Sequence, residues 1–455
     1  MKTWQTTFTP TIGNPYIKEY FTPTSIFFDI ETTGFSAARN QVYMIGYALQ
    51  TDGRICITQL FAECPDQEQE ILSAFLELLS QYDTLISFNG TGFDVPFLKG
   101  RCAYHQIPEQ LDSFCHLDIY KQLSKYKTIL NLDNLKQKTL EEFLGIARDD
   151  LYSGGDLISI YLEYAKLSSG ENYNFIEPHR NNHKKVENPA DSTDTCTLPK
   201  AHRNHGNSKN AALSPQDACA LLKLHNYEDI KGMIQLLSLL SYSRFFGGHF
   251  QVSSWETRSW NTYEGTKGWE LILYLKPDLP FPKPFTCTLG KLYISVSRNQ
   301  AESCTSGSCN QAESCTSASR NRAESCTSAS CNQVEPYASG LCHQVTLRIE
   351  LFTGELKYFY PNYKDYYYLP AEDTALHKSV AAYVDRNYRT QATAATCYCK
   401  KSGRFLPQYQ DLFSPAFKQN YNDKTSWFEL TEAFTENKEN LNKYAMHFIN
   451  YSFSL

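Results

Sequence analysis

Asp29 and Glu31 stand two residues apart, directly after the apolar run Ser25-Ile26-Phe27-Phe28. That run predicts a buried strand, and on a strand residues i and i+2 share a face, so the two carboxylates lie side by side. Like charges that close repel strongly where the dielectric is low. A shared proton or a cation between them relieves the repulsion, and an all-oxygen donor set suits hard ions such as magnesium or manganese. Two further acids fall at useful places. Asp94 follows the turn Asn89-Gly90-Thr91-Gly92-Phe93 and opens a predicted helix, where exposed N–H groups and the helix dipole favour an anion. Asp229 lies four residues after His225, a spacing that puts both on one face of a helix. Four acids and a histidine are the inventory for phosphodiester hydrolysis with two metal ions about 4 Å apart, the imidazole taking the proton of the attacking water.

The elements that must position these residues are readable in outline. Ser25–Thr32, Val42–Gln50 and Arg54–Glu63 read as strands, the last two joined through Thr51-Asp52-Gly53. Helical periodicity covers Gln67–Tyr82, followed by a short strand Thr84–Phe88 and a helix Val95–His105. Ser113–Tyr120 reads as a strand, and Leu132–Gly145 and Asp156–Leu167 as helices. Ser214-Pro215-Gln216-Asp217 carries a helix-start signature, and the helix is expected to run to Leu240 with a break near His225-Asn226. Antiparallel strands followed by alternating helices and strands predict an α/β layer of ribonuclease-H-like order, a mixed sheet flanked by helices.

Residues 168–212 interrupt this order with an Asn-, Ser-, His- and Lys-rich stretch, read as a disordered insertion. From about Trp255 the pattern turns to β. Trp269–Lys276, Phe285–Ser297, His343–Phe352 and Glu355–Tyr360 read as strands, with Thr353-Gly354 as a hairpin turn. Within 299–340 an eleven-residue unit recurs, starting at Asn299, Asn310 and Asn321, with a decayed copy at Asn332. It has almost no large apolar residue and reads as a disordered loop rather than a solenoid. The expected organisation is therefore 1–245 as one α/β domain and 246–455 as a smaller, β-rich α+β domain.

The motifs resemble those of the DEDD superfamily of ribonuclease-H-like 3′→5′ exonucleases, which includes polymerase proofreading domains. Asp29-Ile30-Glu31-Thr32-Thr33-Gly34 looks like the first exonuclease motif, and Asn89-Gly90-Thr91-Gly92-Phe93-Asp94-Val95-Pro96-Phe97-Leu98 like the second. His225-Asn226-Tyr227-Glu228-Asp229 is similar to the third, with a histidine at the spacing the tyrosine subclass uses. His116-Leu117-Asp118-Ile119-Tyr120 and Leu132-Asp133-Asn134-Leu135 resemble connecting segments of bacterial ribonuclease-H-like exonuclease-domain proteins. The resemblance covers about residues 20–245. It implies a 3′→5′ exonuclease acting on single-stranded DNA or RNA, with Asp29, Glu31, Asp94 and Asp229 on two Mg²⁺ or Mn²⁺ ions and His225 as base. It also implies substrate contacts from Thr32, Thr33, Gly34, Asn89 and Phe93. Two rivals stay open: a nucleic-acid-binding module that does not cut, and a structure-selective endonuclease on the same fold.

Secondary features have plainer readings beside functional ones. Phe35 can stack on a terminal base or pack in a core. Lys99 and Arg101 read as a solvated helix face, with phosphate contact as the rival. Asp118 reads as a cap or an auxiliary site acid. The Tyr-rich stretch 358–368 reads as a packed β surface rather than a single-strand platform.

At 455 residues, with 42% hydrophobic and 14% aromatic residues, the chain can fill two cores. A net charge of −6 gives no support to nucleic-acid binding, since duplex binders tend to be basic, but it does not exclude a metal-assisted enzyme that needs only a local basic rim. No apolar stretch is long enough to span a bilayer and Met1-Lys2-Thr3-Trp4-Gln5 lacks a signal-peptide core, so a soluble, cytoplasmic protein without membrane contact is expected. The 15 cysteines are then expected as thiols rather than a disulfide framework. Protein partners are not legible.

Overall fold

The structure is a computed structural model that describes residues 1–8, 14–51, 53–150, 152–169, 214–261, 267–289, 292–297 and 341–454. The expected insertion lies outside the described residues from residue 170 onward, and the eleven-residue repeat lies wholly outside them.

In chain order the first half comprises β1 (Lys2–Phe8), α1 (Pro15–Tyr20), β2 (Ser25–Thr32), β3 (Val42–Thr51), β4 (Arg54–Phe61) and α2 (Glu68–Leu79). Then come β5 (Thr84–Ser87), α3 (Asp94–Tyr104), β6 (Cys115–Asp118), α4 (Ile119–Leu123), α5 (Lys127–Leu130), α6 (Gln137–Leu144), α7 (Gly154–Ser169) and α8 (Pro215–Leu236). The second half comprises α9 (Leu240–Phe246), β7 (Phe250–Asn261), β8 (Lys267–Pro277), β9 (Phe285–Leu289), β10 (Leu292–Ser297) and β11 (Gln344–Phe359). It continues with β12 (Tyr366–Leu369), β13 (Thr374–His377), α10 (Lys378–Ala381), β14 (Thr390–Gln391), β15 (Tyr398–Gln408), β16 (Ser426–Glu429), α11 (Glu432–Thr435) and α12 (Lys438–Ser454).

Two compact units result. The first takes 1–12, 19–121 and 145–235, and the second takes 13–18, 122–144 and 236–455. In the first, six strands run in the order β1-β4-β3-β2-β5-β6. The pairs through β2 are antiparallel, and β2–β5 and β5–β6 are parallel. The architecture is thus a mixed sheet flanked by helices. Alternation along β2 sorts its side chains. Phe28 and Ile30 enter a core with Ile71 and Phe75 of α2 and Val95 and Leu98 of α3. Tyr43, Met44 and Phe61 pack with Leu157 and Tyr161 of α7 and Leu222 of α8. Tyr43 and Tyr161 stack with centroids 4.1 Å apart. Strand β1, which the sequence reading did not predict, pairs along β4 from Lys2↔Phe61 to Phe8↔Ile55.

In the second unit a β-rich region contains a seven-stranded sheet in which β11 pairs β8, β10 and β15. Here one expectation fails. Thr353-Gly354 is not a hairpin turn, because β11 runs through it for 16 residues. Its first part pairs β8 and β10, and from Phe352 onward it pairs β15 instead. Gly354 faces Gly403 across that second ladder. A strand changing neighbours keeps its backbone hydrogen bonds satisfied without turning. The segment Phe285–Ser297 is two antiparallel strands rather than one. The helix expected over Leu132–Gly145 begins only at Gln137, after Asn131 closes α5 in a left-handed conformation. The aromatic residues Tyr242, Phe245, Phe281 and Phe285 form one edge-to-face cluster in this unit.

Candidate active site

The site is built where β2 ends. Phe28 and Ile30 point into the α2/α3 core, so Asp29 and Glu31 face the other way, toward α8. Asp29 sits opposite Gly46 of β3, and the ladder shifts register between Glu31 and Thr32. The bulge ends regular pairing at the carboxylates, which frees the next residues for a loop. That loop is closed from within. Thr32 Oγ1 donates to the Gly34 carbonyl, Thr33 Oγ1 accepts from the Gln41 N–H, and Asn40 Oδ1 accepts from the Ser36 N–H. Phe35, beyond it, is 88% exposed and meets Phe93 edge-on at 6.2 Å.

Asp94 arrives through a tight turn. Asn89 takes a left-handed conformation, φ 63°, and its carbonyl accepts from the N–H groups of Gly92 and Phe93. Asp118 clamps this turn, accepting from Asn89 N–H at 3.0 Å, Thr91 N–H at 3.1 Å and Thr91 Oγ1 at 2.5 Å. It also accepts from Lys121 N–H at 3.1 Å. Its role in the structure is therefore to cap and clamp. Asp94 itself opens α3 and accepts from the Ile30 N–H at 3.2 Å, between the two residues of the strand pair.

The third contribution comes from α8, and the expected break at His225-Asn226 is absent: the helix is continuous for 22 residues. Continuity is what brings His225 and Asp229 onto one face, with Nε2 of the histidine 3.2 Å from Asp229 Oδ2. The same Nε2 lies 3.9 Å from Glu31 Oε1. Ligand atoms of Glu31, His225 and Asp229 all fall within 4.8 Å of one another.

Four neighbours escaped the sequence reading. Asp150 Oδ2 lies 2.7 Å from His225 Nδ1, both residues being buried. A carboxylate only accepts, so Nδ1 carries the hydrogen toward Asp150, and Nε2 is the nitrogen turned toward the site. Arg148 bonds Asp229 Oδ1 at 2.5 Å and reaches Asp150 Oδ2 at 3.5 Å. Asn226, fully buried, donates to Asp29 Oδ2 at 3.1 Å and accepts from Gln59 Nε2 at 3.1 Å. Gly46 makes room for it: a β-carbon there would come within 2.0 Å of the Asn226 amide oxygen. Only the Arg148-Asp149-Asp150 charge cluster was visible as a signal, and nothing in it names a partner.

The electrostatics follow from this crowding. Burial, then the neighbouring Asp94, Glu31 and Asp229 charges, push the Asp29 carboxyl well above the usual range, opposed by the Asn226 amide. Burial and then Asp229 do the same for Glu31. Asp94 is raised to about 7, mainly by burial, with the Ile30 N–H opposing. Each shift says that the ionised form lacks compensation from the protein alone. Glu31 is 9% exposed, and its Oε1 is buried and accepts no hydrogen bond. A buried acceptor without a partner, facing three other carboxylates and an imidazole, fits a cation.

Lys99 and Arg101 do not form a solvated face together. Lys99 pairs with Asp112, but Arg101 is 3% exposed and holds Glu68 with two nitrogens, at 2.8 and 2.6 Å. Glu68 also accepts from the Val42 N–H. Arg101 is thus a strut between α3, α2 and β3, not a phosphate ligand.

Residues 26–181 match the family model RNase_H_2 of the RNase_H superfamily. No curated protein matches the chain. Among solved structures the chain is similar to a family B DNA polymerase from the hyperthermophilic archaeon Pyrobaculum calidifontis. The identity is 19% over 32% of this chain and 22% of that one, with a TM-score of 0.27. It is also similar to E. coli exonuclease I in its zinc-bound complex with single-stranded DNA, at 9% identity and a TM-score of 0.24. A third is the same exonuclease with a dA16 oligonucleotide, at 8% identity and a TM-score of 0.23. In both of these the match covers 56% of this chain and 55% of the other. The chain thus spans about a fifth of the polymerase and about half of the exonuclease. The first unit has a ribonuclease-H-like mixed sheet flanked by helices, and a β-rich C-terminal region follows it. Among the described residues no helix is long and apolar enough to cross a membrane.

Proposed function

We propose that the chain is a divalent-cation-dependent nuclease that hydrolyses phosphodiester bonds of single-stranded nucleic acid from the 3′ end. One observation carries the reading: ligand atoms of Glu31, His225 and Asp229 lie within 4.8 Å of one another, and Asp29 and Asp94 join them in a crowd of carboxyls that burial and mutual repulsion push above their usual range. Such a group is costly unless cations sit among the oxygens. In this reading the four acids hold Mg²⁺ or Mn²⁺. When bound, two such ions make water a nucleophile at neutral pH and stabilise the departing 3′-oxygen.

The chain's own groups do the rest. Asp150 fixes the His225 ring so that Nε2 can accept the proton of the attacking water. Asn226 and the Ile30 N–H hold Asp29 and Asp94 in place. Arg148 restrains Asp229 through Oδ1 and leaves Oδ2 toward the imidazole. The Thr32-Thr33-Gly34 loop and the Asn89–Phe93 turn flank the acids, and the exposed Phe35 beside Phe93 offers a face on which a terminal base can stack.

The test is to incubate the full chain and Asp29→Ala with 3′- or 5′-labelled single-stranded DNA and RNA, with manganese or with chelator. Shortening from the 3′ end that needs metal and is lost in Asp29→Ala supports the reading, and the preferred sugar identifies the substrate. Cleavage of a circular single strand would assign an endonuclease instead. Equal binding by both proteins with no cleavage of any substrate would leave a binding module.

A further inference from the structure

Nε2 of His225 does not face open solvent or a lone carboxylate. It faces two carboxylate oxygens from different elements, Asp229 Oδ2 at 3.2 Å and Glu31 Oε1 at 3.9 Å. The Glu31 oxygen is buried and accepts no hydrogen bond. On the far side of the ring, Nδ1 is tied to the buried Asp150 at 2.7 Å. A carboxylate behind an imidazole whose other nitrogen looks into a cluster of acids is the arrangement found around metal-bound histidines, where it fixes the tautomer and strengthens the nitrogen as a donor.

The donor types also differ from those of the hard-ion site. Asp29 and Asp94 offer oxygen alone, which suits magnesium and manganese, whereas an imidazole with two carboxylates suits borderline ions. Zinc sites that bind solvent keep three protein ligands and leave the fourth position open. We propose that Glu31, His225 and Asp229 form a site for a borderline divalent cation of the zinc type, with Asp150 as the residue that positions its nitrogen ligand. The consequence for catalysis rests on the nuclease reading above: an ion held on Nε2 takes away the group that would accept the water's proton. Zinc would then inhibit a magnesium-supported reaction at the same residues that the reaction uses. Arg148, on Asp229 Oδ1 and near Asp150 Oδ2, keeps the trio in register without taking the oxygen that faces the ring.

The experiment is a direct zinc titration of the full chain against a chromophoric chelator, compared with His225→Gln and Asp150→Asn. Cysteines elsewhere can bind zinc, so the readout is the difference between wild type and variants. Wild type is expected to carry one site that His225→Gln weakens by at least about tenfold, and Asp150→Asn, which removes only the supporting charge, by about 10- to 100-fold. X-ray absorption of the zinc-loaded wild type should contain an imidazole scattering signature that diminishes in His225→Gln. Circular dichroism checks the fold of each variant, and Asp150→Asn answers alone if His225→Gln does not fold. Zinc affinity unchanged in the folded variants, or no difference in imidazole scattering, would overturn the proposal while leaving magnesium-dependent cleavage untouched. Conversely, a His225-dependent zinc site in a chain that cuts nothing would sustain the site and sink the nuclease reading.

Discussion

At the scale of single residues, the acids are placed against their own stability. Asp94 illustrates the sign. Its folded value is about 7, against an ordinary 3.8, so the fold prefers the protonated carboxyl. The group costs nothing below about pH 3.8; stability is then lost as pH rises toward 7 and stays lost above it. At about 1.4 kcal/mol per unit the loss is on the order of a few kcal/mol. Asparagine imitates the protonated acid. With chelator present, Asp94→Asn should therefore match wild type near pH 4 and exceed it near pH 8, as read from urea unfolding across that range. Adding magnesium or manganese at pH 8 should close the gap by stabilising wild type alone. Parallel pH profiles for the two proteins would remove the argument that the site is strained without a cation. Asp29, Glu31 and Asp94 were legible from the strand and turn signals beside them, and Asp229 from its four-residue spacing to His225. Asp150 and Asn226 were not, since their importance lies in partners 75 and 197 residues away in sequence.

At the scale of elements, the site depends on how closely α8 approaches the sheet. Gly46 of β3 lies under Asn226, whose side chain links Gln59 of β4 to Asp29 of β2. A methyl group at 46 would have to displace a buried amide that has no spare room. Gly46→Ala is expected to cost about 1–3 kcal/mol in unfolding free energy, as overpacking does. It should also reduce metal-dependent cleavage by more than that loss of folded protein explains, because Asp29 loses its restraint. Wild-type cleavage rates in Gly46→Ala, measured where both proteins are fully folded, would show that Asn226 does not position the acid. Nothing local marks Gly46: in sequence it reads as a weak point in a strand, and the need for it appears only once the helix is laid across. The unbroken α8 carries the same lesson. Its polar residues at 225–229 read as an interruption, yet His225, Asn226 and Asp229 are polar because they face the site.

At the scale of the whole molecule, the division of the chain is interleaved rather than sequential. The alternation of strands and helices legibly placed an α/β half before a β-rich half, but not that residues 122–144 belong with the second unit. Those residues carry buried apolar side chains such as Tyr126, Leu130 and Leu140, and the contacts that claim Tyr126 and Phe143 come from far along the chain. Tyr126 stacks on Phe246 at 5.3 Å with rings 19° apart, and Lys283 sits over the Phe143 ring. Phe246 in turn joins the aromatic cluster through Phe245 and Phe285. A fragment ending at 245 would keep every acid of the site and the His225 that accompanies them, while stripping Tyr126 of its partner and leaving 122–144 uncovered. Exposed aromatic surface of that kind promotes local opening and proteolysis. The fragment 1–245 should therefore be cut first within 122–144 by a nonspecific protease, under conditions where the full chain resists cleavage there. It should also unfold at lower temperature than the full chain. A fragment that resists the protease at 122–144 and melts as the full chain does would mean that the first unit holds this segment by itself. The β-rich region would then be dispensable for the fold of the site.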